Sequence, residues 1–108
     1  MKDNLLIASK YKKTIEYILK ITDNFPNKEL ELKSRIVNNS FDILENIYLA
    51  NYDKNAKKIL ISKIKMLDYY LKLSYEKEII SKMKYEVSSN HLLELIKMIT
   101  GWFQVEKS

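Results

Sequence analysis

Residues 54–75, KNAKKILISKIKMLDYYLKLSY, carry an apolar line and a basic line at helical spacing. At about 100° per residue, one side of this predicted helix collects small and apolar side chains, namely Ala56, Leu60, Ile64, Leu67, Leu71 and Ser74. The opposite side collects lysines, namely Lys54, Lys58, Lys65 and Lys72, with Lys57 at their edge. The stretch therefore predicts a helix that packs on a core through one side and offers ammonium groups to an acidic partner through the other.

The composition favours a helical fold with one core. Among 108 residues, 46% are hydrophobic and only one is Gly and one Pro, which suits long helices with short connections. This length predicts a single domain over residues 1–108. The chain has no cysteine, which excludes disulfides and thiolate metal sites. The apolar run at residues 5–8 is too short for a signal peptide or a membrane span, so we expect a cytoplasmic protein without a membrane partner.

Apolar periodicity and turn signals predict four helices, at about residues 3–23, 28–51, 55–75 and 82–103. Asp3 is the expected cap of the first helix, and Pro26 ends it because the residue before a proline leaves the α region. Asp53 or Asn55 caps the third helix, and Ser81 caps the fourth. The expected fold class is all-α, an antiparallel up-down-up-down four-helix bundle.

The fourth predicted helix carries a second apolar line beside its core line. Val87, His91, Met98 and Trp102 lie about 100° from the core line, and together they are large for a face that meets only solvent. One interpretation is a subunit interface anchored by Trp102, a residue type enriched at interface hot spots. The other is that the helix pairs over a wider face and Trp102 closes the end of the bundle.

The charge of the chain is concentrated on the third helix. The net charge is +5, and residues 52–75 contain six of the 19 basic residues and two of the 14 acidic ones. Regularly spaced lysines suit a phosphate backbone, so the candidate nucleic-acid surface comprises Lys54, Lys57, Lys58, Lys65 and Lys72. Only Tyr69 lies near these lysines as an aromatic side chain, and no base-reading group is predicted. The alternative is that the lysines form an ordinary solvated face.

The sequence contains no recognisable catalytic constellation. The single histidine, His91, has only Glu94 near it as a second ligand or triad member. Helical ribonucleases of the HEPN type need an Arg followed within six residues by a His, and no His follows Arg35, the only Arg. One Gly is too few for a Gly-rich phosphate loop. We therefore expect no enzymatic activity, no metal and no cofactor.

Several segments, in order, carry the pattern of a known family. Residues 80–86 read ISKMKYE and residues 94–102 read ELIKMITGW. Upstream stand Phe25-Pro26, Arg35-Ile36, Leu44-Glu45, Ala50-Asn51, Leu67 and Leu71-Lys72-Leu73. In this order and spacing they resemble the four-helix-bundle accessory proteins of diversity-generating retroelements, the family called Avd, for accessory variability determinant. Thr100 stands where that family commonly has Gly, Asp68 stands where it usually has a basic residue, and the segment from Pro26 to Arg35 is about one residue short.

The resemblance implies a homopentameric barrel of bundles that binds nucleic acid, template RNA and/or DNA, through a basic surface. It also implies association with the retroelement reverse transcriptase, so that the protein supports template-RNA copying in mutagenic retrohoming without catalysis of its own. The alternative is a structural or interaction protein of the kind encoded in ribosomal RNA intervening sequences, without a nucleic-acid role. That group carries a Gly-containing signature on its second helix, whereas residues 39–46 read NSFDILEN here, which favours the retroelement family.

Overall fold

The computed structural model describes residues 5–107 of the chain, with side chains over residues 6–102. The described part forms four α-helices and no strand, which confirms the all-helical prediction. The helices are α1 (Leu5–Thr22), α2 (Leu30–Leu49), α3 (Lys54–Glu76) and α4 (Lys82–Lys107). Asp3, the expected first cap, lies outside the described residues.

Three helix ends differ from the prediction by two residues or more: α2 begins later and ends earlier, at Leu49 instead of residue 51, and α4 ends later. Helix α2 begins at Leu30 instead of residue 28, because extended Pro26 (φ −67°, ψ 153°) leads into a 3₁₀ turn at Asn27–Glu29. Helix α4 continues to Lys107 instead of ending near residue 103. At the start of α3, the Asp53 carboxylate accepts the Asn55 backbone N–H at 2.9 Å, so Asp53 is the capping residue.

The connection from α3 to α4 is a tight turn. Glu78 has φ 61°, a left-handed conformation that glycine adopts more easily than glutamate. The Ile79 N–H donates to the Ser74 carbonyl at 2.8 Å, and the buried Ile80 side chain fixes the turn on the core. The Ser81 hydroxyl then accepts the Lys84 N–H at 3.2 Å and caps α4, as predicted.

The helices pack in a ring around one core. Helix α1 is the neighbour of α2 and α4, and α3 is the neighbour of the same two helices, so α1 and α3 lie diagonally opposite each other within the described residues. The apolar line predicted for α3 is buried, and Tyr11 of α1 is fully buried with its hydroxyl donating to the Ser40 carbonyl of α2 at 2.7 Å. Burial raises the pKa of the Tyr11 phenol, which therefore stays protonated as a donor. The side of α3 that faces away from this core carries the lysines.

Candidate nucleic-acid interface

Three lysines form a regular row on the outside of α3. Lys58, Lys65 and Lys72 are exposed and stand seven residues apart, a step of about 10.5 Å along a helix axis. Lys54 is exposed at the start of the same helix. No carboxylate of the described residues pairs with these four ammonium groups, although five other cations are paired, namely Lys10, Arg35, Lys63, Lys77 and Lys82. We call Lys58, Lys65 and Lys72 the lysine row.

Lys57, the fifth predicted lysine, is buried rather than exposed. Only 8% of its surface is accessible, and its ammonium group lies 4.8 Å from the centre of the Trp102 ring of α4. Burial, and secondarily the charge of Lys54, lowers the pKa of Lys57. The expected exposure of Lys57 is therefore wrong, because the end of α4 packs over the first turn of α3 and places the Trp102 ring on Lys57. We call the Lys57–Trp102 contact and its surroundings the closed end of the bundle.

The second apolar line of α4 lies largely against the rest of the chain. Trp102 is 6% exposed, so it packs within the chain at the bundle end, as the second interpretation of this line predicts. His91 is half-buried against α1: its ring stacks on Tyr17 with centroids 6.3 Å apart, and its Nδ1 lies 3.4 Å from the Thr14 hydroxyl. Met98 packs partly on the core, and Val87 is half-buried. Each helix of a ring has two neighbours, so a wide apolar face does not require another subunit.

A groove of about 680 Å³ runs between α2 and α3 beside the lysine row. We call it the α2–α3 groove; its lining includes Arg35, Asn38 and Asp42 of α2 and Lys58, Met66 and Tyr70 of α3. A hollow of about 350 Å³ continues it, since Arg35 and Tyr70 line both. The Tyr70 side chain and then the Glu31 carboxylate, 3.3 Å from Arg35, raise the pKa of the guanidinium, which keeps it charged. Sequence reasoning missed this site because the groove exists only where two helices pair.

Comparison with known families agrees with the fold and the motifs. The profile of a family described as bAvd-like matches residues 5–106. The chain belongs to the bAvd-like family. The match spans nearly the whole chain and confirms the resemblance to accessory variability determinants, which are accessory proteins rather than enzymes. Comparisons with curated proteins and with solved structures gave no match.

One departure from the Avd pattern has a structural explanation. Asp68, which stands where a basic residue is usual, is half-buried on the side of α3 that faces α4. It accepts a hydrogen bond from the Tyr85 hydroxyl at 3.4 Å, and the Tyr85 ring stacks on Tyr75 with centroids 5.9 Å apart. Asp68 therefore lies off the lysine row in this bAvd-like chain, and its carboxylate does not interrupt the row.

A second line of exposed apolar side chains was not predicted. It runs along α2 and comprises Leu30, Val37, Phe41, Leu44 and Tyr48, of which Leu30, Phe41 and Tyr48 are exposed. The Lys12 ammonium lies 5.7 Å from the centre of the Tyr48 ring. A seven-residue repeat through positions 30, 37 and 44 was the signal for it. We call these five residues the α2 apolar line.

Two other kinds of site are absent from the described part of this bAvd-like chain. None of its helices has an apolar stretch of the length that a bilayer crossing requires. The described residues also contain no group of three His, Asp or Glu side chains placed to hold a metal ion.

Proposed function

We propose that this chain is a non-catalytic, nucleic-acid-binding accessory protein that associates with a retroelement reverse transcriptase and supports the copying of template RNA. Membership in the bAvd-like family supports the retroelement role over the ribosomal intervening-sequence alternative. The single observation that carries the binding role is the lysine row, whose three exposed ammonium groups have no carboxylate partner among the described residues. Exposed ammonium groups that no carboxylate neutralises can replace the counterions of a phosphate backbone.

One chain alone binds weakly on this model. Each phosphate contact contributes a slope of about −0.7 to −0.9 to the dependence of log affinity on log salt, so three or four contacts are lost readily at physiological salt. We propose a homopentamer, the assembly that the family resemblance implies, in which five chains of +5 carry +25. Such a particle attracts nucleic acid strongly and lets several lysine rows hold one strand.

The α2 apolar line is the surface that best suits this assembly. Leu30, Phe41 and Tyr48 expose large apolar surface, whereas Trp102 of the originally predicted interface is used inside the chain. Val87 and Met98 keep part of their surface and remain candidates for its margin. Phe41→Asp should therefore lower the particle mass in light scattering, while Leu93→Asp on α4, where the side chain is 54% exposed against 50% for Phe41, should not. Equal masses for both variants would contradict this surface.

An antiparallel up-down-up-down arrangement is part of the proposal. It is supported by contacts between the start of one helix and the end of the next, such as Glu29 with Lys77 at 2.8 Å and Lys57 with Trp102. Between α1 and α4, Lys10 pairs with Glu94 at 2.6 Å and Tyr17 stacks on His91, so the residue numbers of the contacting partners run in opposite directions. The proposal also assigns the protein to the cytoplasm, which its lack of cysteine and its retroelement partner support.

Charge reversal of the lysine row tests the binding role. The triple variant Lys58→Glu, Lys65→Glu, Lys72→Glu should lose binding to single-stranded RNA in fluorescence anisotropy, and the salt slope should fall by about 2–3. The matched control reverses the exposed Lys13 and Lys20 of α1 and Lys97 of α4. Each reversal removes two charges, so both variants carry −1 instead of +5 and differ only in the surface changed.

The control decides between a site and a general charge effect. Retained binding in the control with lost binding in the row variant supports the proposal. Equal losses in both variants would show that net charge alone attracts the strand, and wild-type binding by the row variant would remove the row from the interface. Co-purification with a co-expressed retroelement reverse transcriptase tests the partner separately.

A further inference from the structure

We propose that the α2–α3 groove binds unpaired bases of a single strand whose phosphates lie along the lysine row. The inference rests on the proposed nucleic-acid binding and deepens it, since it assigns a second set of contacts to the same strand. Lys58 belongs both to the row and to the groove lining, so the two surfaces are continuous on α3. A strand held by its backbone at Lys58 therefore has the groove directly beside its bases.

Two consecutive tyrosines connect the row to the groove. Tyr69 is 53% exposed beside the lysines, and Tyr70 lines the groove. Their ring centroids are 6.1 Å apart and the rings are tilted by 56°. Exposed aromatic rings are the surfaces on which proteins stack unpaired bases without regard to sequence. The tyrosine pair therefore places aromatic rings between the lysine row and the groove, where bases of a bound strand can stack on them.

The groove offers the other groups that recognise a base. Arg35 is exposed and pairs with Glu31 through one guanidinium nitrogen at 3.3 Å, and its planar guanidinium can stack on a base face or donate to a base edge through its other N–H groups. The exposed Asn38 amide supplies both a donor and an acceptor for base edges. Met66, 42% exposed, supplies an apolar contact. Helix α3 contains no arginine, and pairing with α2 brings Arg35 and the Asn38 amide to the groove.

The remaining polar groups of the groove are occupied by each other. The Asn39 amide donates to the Lys63 carbonyl at 2.8 Å, which fixes α2 against α3. The Lys63 ammonium lies 3.4 Å from the Asp42 carboxylate, so the one acidic side chain of the groove lining is neutralised and does not repel phosphate. Arg35, Lys58 and Lys63 against Asp42 leave the lining with a net positive charge. These contacts thus join the two walls of the groove, while Arg35, Asn38 and Met66 remain exposed to a ligand.

Shape also favours unpaired bases. The volume of about 680 Å³ lies within the range of roughly 300–1,000 Å³ found for pockets of small organic ligands. Bases in a duplex have both faces stacked and cannot enter such a groove, whereas a single strand can turn its bases out. The groove therefore predicts a preference for single strands that the lysine row alone would not produce.

Strands with and without bases separate groove contacts from backbone contacts. The probes are a labelled 12-nucleotide RNA without self-pairing and an abasic strand of the same length, measured by fluorescence anisotropy at low salt. The wild-type protein should bind the RNA about tenfold or more tighter than the abasic strand, which is the effect of about one stacked base. The double variant Arg35→Lys, Asn38→Ala keeps the net charge and changes two exposed side chains, so it should fold normally. It should keep its affinity for the abasic strand and lose most of the preference for the RNA.

The control is Asn90→Ala, which removes an exposed amide from α4, a helix that does not contact α2 in the described structure. It should keep the full preference for the RNA. Equal wild-type affinity for the two strands would overturn the base-binding groove and leave backbone binding intact. A full preference in the double variant would also overturn it, because the bases would then bind elsewhere. Failure of the wild-type protein to bind either strand would overturn the proposed function together with the groove.

Discussion

Lys57 and Lys58 are consecutive residues of α3 that lie in opposite surroundings. Lys57 is buried at the closed end of the bundle, where its ammonium group packs against the Trp102 ring. Lys58 is exposed in the lysine row and lines the α2–α3 groove. A rotation of about 100° along one helix separates these roles. The number of lysines in a stretch therefore overstates its binding surface, and each lysine has to be located before it is counted.

The largest effect is expected at the closed end. Trp102→Ala should lower the free energy of unfolding by about 3–5 kcal/mol, because it removes a large buried ring and leaves a cavity. Chemical denaturation measures this change, and Thr100→Ala, an exposed position on the same helix, should stay within about 0.5 kcal/mol. Unchanged stability with a lower mass in light scattering would instead identify Trp102 as a subunit contact.

Alanine substitutions at the two neighbouring lysines should separate stability from binding. Lys57→Ala should cost about 1–2 kcal/mol of stability through the lost packing and cation–π contact, with no change in the salt slope of RNA binding. Lys58→Ala should lower that slope by about 1 and leave stability within about 0.5 kcal/mol. If folded Lys57→Ala protein lost as much RNA affinity as Lys58→Ala protein, the two lysines would not have the separate roles described above.

The smallest effect is expected where α3 turns into α4. Glu78→Gly should raise stability by up to about 1 kcal/mol, because the left-handed backbone at φ 61° strains a side chain and not glycine. Glu76→Gly, two residues earlier at the last residue of α3, should instead lower stability, by less than the roughly 1 kcal/mol that glycine costs in a helix interior. Thermal unfolding of the pair measures both signs. A loss of stability in both variants would mean that the Glu78 side chain makes a contact worth more than the strain.

Periodicity was sufficient to predict the four helices and the outward direction of Lys58, Lys65 and Lys72. Each of these depends on the sequence of one helix, and the helical repeat fixes which side chains share a side. The direction of such a side chain can be predicted without knowing which helices pack beside its own. The Asp53 and Ser81 caps are equally local, since each bonds a backbone group two or three residues away.

The burial of Lys57 could not be predicted from the periodicity of α3, because it depends on how α4 packs against α3. The α2–α3 groove was missed for the same reason: Arg35 and Tyr70 are far apart in sequence and meet only through helix pairing. Two interpretations of the second line of α4 stayed open in the sequence, because the sequence does not show which helix lies beside that face; in the structure His91 packs against Tyr17 of α1. The features that the sequence did not predict are therefore those that depend on how two helices pack against each other.

The seven-residue spacing of the lysine row also determines the path of the row around α3. Seven residues fall short of two full turns of an α-helix by about 20°, so the row drifts by about 40° around α3 from Lys58 to Lys72. The drift leads away from α2, which is why Lys58 lines the groove and Lys72 does not. A strand that follows the row crosses α3 obliquely, with its bases beside the groove at one end and free of it at the other.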